Sequence, residues 1–384
     1  MKKQDLAFCS RPSLLGQQKL SYNGHDIGFA PYDDYWREMR KVFVIHLFSL
    51  KKVQSFSPIR VDEVLRMIKK ITQKATTSQI TNLSNILISL TSTIICRVAF
   101  GIRYDEEAHE KKRFDEVLAE AEALLGSFFV SDFFPSLNWI DKLTGLKNRL
   151  DKNFKDLDEF YKELIEQHLN PDRPKSMEGD ILDLLLQLKK EKSTPIDLTL
   201  EDIKALDMNV LVAGSDTSAS TIVWAMTALM KNPKAMNKVQ SEIRTLVGKK
   251  GFVNEDNIQN MPNLKAVIKE TLRLYPPTPL LLPRKSIEKS TLEGYEIQPG
   301  PIIHVNIWAI GRDSKIRENS KEFIPERFLN NNIDFKGQDF ELIPFGAGRR
   351  GCPGITLGVA IAELALSNPL YAFDWELWDE KRGY

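Results

Sequence analysis

The sequence is poor in the features that announce the commonest site chemistries. It has three cysteines (Cys9, Cys96 and Cys352) in 384 residues, too few and too scattered for a disulfide framework or a paired-cysteine zinc site. That usage predicts an intracellular chain, or one facing a reducing compartment. The five histidines, His25, His46, His109, His168 and His304, show no ligand spacing, so none is assigned to a metal. Neither sign of charge is in excess: 53 Lys+Arg against 52 Asp+Glu leave a formal net charge of +1, which excludes a strongly basic nucleic-acid binder. There is no internal repeat and no low-complexity tract. No run reaches the ~18 uncharged apolar residues that span a membrane, and the basic opening Met1-Lys2-Lys3 has no apolar segment behind it, so it is not a signal peptide. Taken alone, this predicts a soluble or peripherally attached protein. Disorder is excluded by what is present, because 42% hydrophobic residues bury enough surface to offset chain entropy.

What is there is mostly helical. Leu83, Ile86, Leu87, Leu90, Ile94 and Val98 recur at spacings of three and four and predict a helix over Thr81–Phe100. Leu200–Met230 reads as a longer apolar helix stopped by Asn232-Pro233, and Asn263–Tyr275 as another stopped by Pro276-Pro277. After Pro276 the texture changes. Short β-like pieces are expected at Thr291–Ile297 and Ile302–Trp308, followed by a glycine-rich loop at Pro344–Gly354 and a last helix around Ile355–Leu366. The length suggests two or three domains as a prior, but no flexible linker separates the β-rich part. The fold class expected is mainly α with a small β-rich subregion, in one domain over 1–384.

Cys352 lies in Pro344-Phe345-Gly346-Ala347-Gly348-Arg349-Arg350-Gly351-Cys352-Pro353-Gly354. The glycines permit positive φ and close backbone approach. A thiolate there would be favoured by loop amides, by Arg350 and by the N-terminus of the following helix, conditions under which a cysteine stays ionised and binds metal. Asp216 and Thr217 interrupt the apolar central helix, and buried polar groups need a reason. A threonine in that place could simply bond back to the carbonyl four residues earlier. Glu270 and Arg273, three apart, share a helix face.

Together these motifs resemble the cytochrome P450 monooxygenases. The loop matches the Phe-x-x-Gly-x-Arg-x-Cys-x-Gly haem signature through Phe345, Gly348, Arg350, Cys352 and Gly354. Glu270-Thr271-Leu272-Arg273 matches Glu-x-x-Arg, Pro325-Glu326-Arg327-Phe328 the Pro-Glu-Arg-Phe segment, Ala213–Ser218 the oxygen-activating helix, and Trp36–Arg40 the Trp-x-x-x-Arg pair. Phe29-Ala30-Pro31-Tyr32, Leu281-Leu282-Pro283-Arg284 and Asp374-Trp375-Glu376-Leu377 resemble plant microsomal A-type enzymes. The resemblance implies the cytochrome P450 fold, haem b with Cys352 as axial thiolate, and Phe345 and Gly346 in the haem-binding loop. It implies that Trp36, Arg40, Arg284 and Arg350 hold the haem propionates. Asp216 and Thr217 would deliver protons beside bound oxygen, with Gly214 letting the helix widen. Arg327 would join Glu270 and Arg273 in a buried network.

The implied reaction is RH + O₂ + NADPH + H⁺ → ROH + NADP⁺ + H₂O on a small apolar plant secondary metabolite. Electrons would come from NADPH–cytochrome P450 reductase at the cytosolic face of the endoplasmic reticulum membrane. Basic residues such as Lys41 and Arg349 read singly as solvated surface, with a face towards that partner as the alternative. A catalytically impaired haem-binding fragment is the alternative. A family member performing isomerisation or dehydration is disfavoured by the Asp216-Thr217 pair. By the same resemblance the N-terminal anchor, the first strands and the C-terminal β hairpin are expected to be missing from this chain. Departures from the pattern are Asp33 for a glycine, Asp207 for an apolar residue, Pro369 late in the last helix, and the loss of prolines and a tryptophan from Arg312–Ser320, which predicts reduced rigidity there.

Overall fold

The computed structural model describes residues 3–77, 79–104, 109–174 and 179–377. The helices that build the central cavity and its support are, in chain order, α1 (Leu15–Leu20), α2 (Asp34–Lys41), α3 (Leu83–Phe100), α4 (His109–Leu125), α5 (Leu146–Leu169), α6 (Leu200–Lys231), α7 (Pro233–Val247), α8 (Pro262–Leu274), α9 (Ile307–Gly311) and α10 (Ile355–Ala372). Four short strands complete the frame: β1 (Arg284–Lys285), β2 (Ser290–Leu292), β3 (Tyr295–Ile297) and β4 (Ile302–Ile303).

The central helix α6 starts where its sequence says it should. Thr199 and Asp202 form a reciprocal capping box, each side chain taking the other's backbone N–H. It stops at Asn232, whose successor Pro233 opens α7. α3 is capped by Asn82, which accepts from Asn85 N, and closes on Gly101 at φ +67°. α3 and α6 lie close together because of Gly214. A Cβ there would sit 2.7 Å from Ile95 Cδ1. This differs from the expected local widening: α6 is an unbroken α-helix through Gly214, and the missing side chain serves helix–helix approach instead.

Two strand expectations resolve differently. Thr291–Ile297 folds as the antiparallel β2–β3 hairpin, turned by Glu293 at φ +49° and Gly294 at φ +84°, the pattern of a two-residue hairpin turn. Ile302–Trp308 is a strand only over β4, which pairs with β1. From Ile307 the chain is helical because Asn306 caps α9, accepting from Ala309 N. α10 runs past the expected end, through Pro369 to Ala372. Asn368 secures that last turn by donating to Leu364 O and Val253 O and accepting from Val253 N, all at 3.0 Å. Asp33 also has a local reason. Its carboxylate accepts from Trp36 N at 2.7 Å and caps α2.

Asp207 is a cost of the fold. It is 1% exposed on α6, its Oδ1 has no partner, and burial, with Asp180 adding, pushes it well above the ordinary carboxylate range. The neighbouring Tyr161 hydroxyl is likewise buried and unpaired. A carboxyl raised on folding binds protons more tightly in the native state, so stability falls as pH rises from about 4 towards the raised value. Asp207→Leu is expected to stabilise the protein by about 1–3 kcal/mol at pH 7 and to flatten that slope. Guanidinium midpoints at several pH values read this directly, and an unchanged slope contradicts it.

Candidate active site

A cavity of about 580 Å³ lies between α6 and the glycine-rich loop. α6 contributes Val212, Ala213, Asp216 and Thr217, α10 contributes Leu357 and Ile361, and α8 contributes Ile268 and Leu272. Cys352 sits in the wall. The loop that presents it is turned by Gly346 and Gly348 at φ +71° and +69° and closed by Cys352 N donating to Phe345 O at 2.8 Å. Cys352 is exposed to the cavity rather than to bulk solvent. Burial among protein atoms pushes its thiol up, while a hydrogen bond from Gly354 and the Arg40 charge pull it down. Phe345 and Gly346 line the same wall, with Phe345 edge-on to Phe335.

Four guanidiniums converge on the cavity: Arg11, Arg40, Arg284 and Arg350. Backbone carbonyls hold each in place. Arg40 donates to Gly351 O at 2.6 Å, Arg284 to Ala347 O at 3.0 Å, and Arg350 to Cys9 O at 2.6 Å and Ala30 O at 2.7 Å. Arg11 donates to Gly28 O, Leu282 O and Pro283 O at 2.8–2.9 Å. Their carboxylate neighbours are already engaged. Asp5 bonds Arg284 and Arg349, and although burial raises it, those hydrogen bonds leave it below its usual value. Asp26 is raised by burial and accepts from Gly28, Phe29 and Ala30 N–H and from Asn209. Burial and the charges of Arg350, Arg284 and Arg40 press Arg11 towards losing its proton. Arginine stays charged in proteins, so the arrangement calls for a bound anion.

Trp36, expected at the propionates, is 2% exposed. Its indole N–H is spent on Ile27 O at 2.9 Å, and its ring lies 4.0 Å from the Arg350 guanidinium and 5.6 Å from that of Arg40. In this structure it supports the arginines and is not itself part of the cavity wall. Arg11 escaped the sequence reading because an arginine before a proline carries no periodic or spacing signal. Asn209, which tethers the Asp26 loop to α6, interrupts an apolar helix as Asp216 does, and that signal was there to find.

Thr217 donates to Ala213 O at 2.6 Å. The bond to the carbonyl four residues back is therefore real, and it leaves the hydroxyl oxygen's lone pairs directed off the helix at a cavity-lining position. Asp216 beside it is exposed to the same space. Behind the cavity, Glu270 is fully buried. It accepts from Arg273 Nε and Nη2 at 2.7 Å, from Arg327 Nε at 3.1 Å and from Ile324 N at 2.7 Å. Arg273 continues to Ser320 O and Glu322 O, and Arg327 to Glu318 O and Asn319 O. The 312–320 segment that lacks prolines is thus fixed by side-chain donors.

A thiol and four guanidiniums around one cavity fit a ligand that carries both a thiolate-binding metal and carboxylates. The sequence model for cytochrome P450 matches residues 1–383. The chain belongs to the cytochrome P450 family. This P450 is 51% identical over 383 residues to the 5-OH-xanthotoxin synthase of Ammi majus, a match covering 98% of this chain and 75% of that protein. It is 46% identical over 378 residues to the strychnine-11-hydroxylase of Strychnos nux-vomica, covering 98% and 74%. Among solved structures, a zebra fish cytochrome P450 with abiraterone aligns at a TM-score of 0.79 and 25% identity, covering 96% of this chain and 81% of that one. As a P450 the protein is a haem-thiolate monooxygenase of the plant secondary-metabolism type, using haem iron and O₂, a redox partner and a small-molecule substrate. The impaired-fragment alternative is not favoured.

Proposed function

We propose that this P450 hydroxylates a small, ring-based, largely apolar plant metabolite, of the chemical kind in the names of its relatives: 5-OH-xanthotoxin synthase, 6,7,8-trihydroxycoumarin synthase and strychnine-11-hydroxylase. Residues 1–384 act as one haem domain. The observation that carries this is the placement of Cys352, four guanidiniums and the Asp216–Thr217 pair around a single cavity lined mainly by apolar side chains. Bound haem iron supplies the activation of O₂ and the insertion of one oxygen atom into a C–H bond. Cys352 would supply the thiolate ligand to that iron, its donor strength tuned by the Gly354 hydrogen bond and by Arg40. Arg11, Arg40, Arg284 and Arg350 would hold the propionates through N–H groups not spent on carbonyls, and Trp36 keeps Arg350 and Arg40 in place.

Asp216 and Thr217 hold and move protons on the α6 side of the cavity. Asp216, exposed to the cavity, collects a proton from solvent. Thr217 Oγ1, its own proton spent on Ala213 O, accepts from it or from water and so holds that proton at a defined atom. NADPH–cytochrome P450 reductase at the endoplasmic reticulum surface delivers the electrons. Lys41 and Arg349, both exposed and paired with Glu38 and Asp5, offer basic contacts to that partner. Among the described residues two helices, α3 and α10, are long and apolar enough to cross a membrane by length and composition, and both are mostly buried inside the fold.

Thr217→Ala is the test of proton handling. Haem content and NADPH oxidation should persist, while product formed per NADPH falls by roughly a hundredfold, the low end for a lost proton-transfer group, and the missing equivalents appear as hydrogen peroxide. Full coupling in that variant removes Thr217 from the mechanism.

A further inference from the structure

One carboxylate of the cavity has no task in the chemistry above. Glu122 lies near the C-terminal end of α4, whose Leu118, Ala121 and Leu124 are buried in the core, and with Leu125 it lines the cavity. Its Oε1 is shielded and, among the described residues, has no hydrogen-bond partner. Burial pushes its carboxyl up to about 7, with the charge of Asp216 adding to the shift, so the two acids lie in one electrostatic field. A second orphan lines the same cavity. Gln17 on α1 is 6% exposed, and its Oε1 also lacks a partner. α1 packs against α4, so the two helices that carry these side chains are neighbours, and the same cavity is lined by Phe43, Phe48 and Val212.

Buried acceptors without donors are costly, and native structures rarely keep them without a reason. The terminal torsion of a glutamate is soft, and among the described residues nothing bonds this Oε1, so the carboxylate can turn towards a donor in the cavity. Among the described residues neither the Glu122 Oε1 nor the Gln17 Oε1 is hydrogen-bonded to a guanidinium; the arginines bond the carbonyls and acids named earlier.

We propose that Glu122 is the polar anchor of the substrate pocket, taking a hydrogen bond from a hydroxyl or protonated amine on an otherwise apolar substrate. Gln17 supplies the second polar contact. An anchor at a fixed point selects which carbon of a rigid ring system is presented for oxidation, so Glu122 sets regiochemistry as well as affinity. This rests on the reading of the cavity as a monooxygenase substrate pocket.

The test uses haem-loaded protein whose reduced carbon monoxide complex shows the red-shifted Soret band of thiolate ligation. Equilibrium dialysis measures Kd for 7-hydroxycoumarin, 7-(aminomethyl)coumarin and 7-methylcoumarin. The wild type should bind at least one donor probe about tenfold or more tighter than the methyl probe, and which one identifies the source as hydroxyl or amine. Glu122→Leu should erase that preference and leave the methyl probe within about threefold, as expected when only one polar contact is lost. Glu122→Gln, which keeps an acceptor but no charge, should retain a preference for hydroxyl and lose one for amine. A wild type with no preference for either donor probe, whether it binds all three or none, overturns the anchor alone. So does a Glu122→Leu variant that keeps the preference. A protein without the thiolate band overturns both the anchor and the reading beneath it.

Discussion

Cys352→Ser is expected to remove the thiolate band of the reduced carbon monoxide complex and to bring turnover to background, with the fold retained. The loop does not depend on the sulfur. Its turns come from Gly346 and Gly348, its closure from the Cys352 N to Phe345 O bond, and its tether from Asp5, which accepts from the Arg349 backbone and side chain and from Arg284. Serine keeps all of these. What it loses is a soft, polarisable donor that ionises when a metal coordinates it. Groups that merely orient a ligand are worth about 10–100-fold in activity or metal affinity, so removing the ligand exceeds that range. Because the four arginines remain, some haem uptake is expected with an altered spectrum. A variant with the thiolate band intact would disprove Cys352 as the ligand.

Glu270→Ala is the second large effect, and it works through the fold. The carboxylate and the Arg273 side chain are both 0% exposed, and deletion leaves a buried guanidinium with no countercharge. That costs about 3–5 kcal/mol, a large share of the ~5–15 kcal/mol that a native protein holds, and corresponds to roughly a 5 °C lower unfolding temperature for a chain of this size. Ile324 N loses its acceptor as well. The damage reaches the cavity because α8 carries Ile268 and Leu272 into its wall while Glu270 and Arg273 fix the segment behind it. Protein with little haem is expected, measured as haem per polypeptide alongside the melt. Glu270→Gln, which keeps part of the hydrogen bonding, should fall between. Normal haem content in Glu270→Ala would sink the argument.

Much of this was readable in advance because the signals are local. Apolar spacing of three and four marked α3 and α8, and Asn232-Pro233 marked the end of α6, since period and caps act within a few residues. The extension of α10 past Pro369 was not readable, because it depends on Asn368 meeting Val253 from a distant part of the chain. Asn306 turned an expected strand into α9 through a cap that competes with β propensity over one turn. Gly214 was correctly singled out, but its physical role lay in Ile95 on another helix.

The sequence by itself determined the helical class, the loop that presents Cys352, the Glu270–Arg273 pair and the family. Each is written in contiguous or regularly spaced residues, where backbone geometry and side-chain chemistry leave few alternatives. Only the tertiary structure decided that Arg11 joins Arg40, Arg284 and Arg350, that Trp36 supports them with its N–H already spent, and that Glu122 and Gln17 are left unpaired at the cavity. Apolar burial is non-directional and leaves no record in the sequence of which distant polar groups will meet. That is settled by packing, and by which backbone carbonyls and charges each side chain finds there.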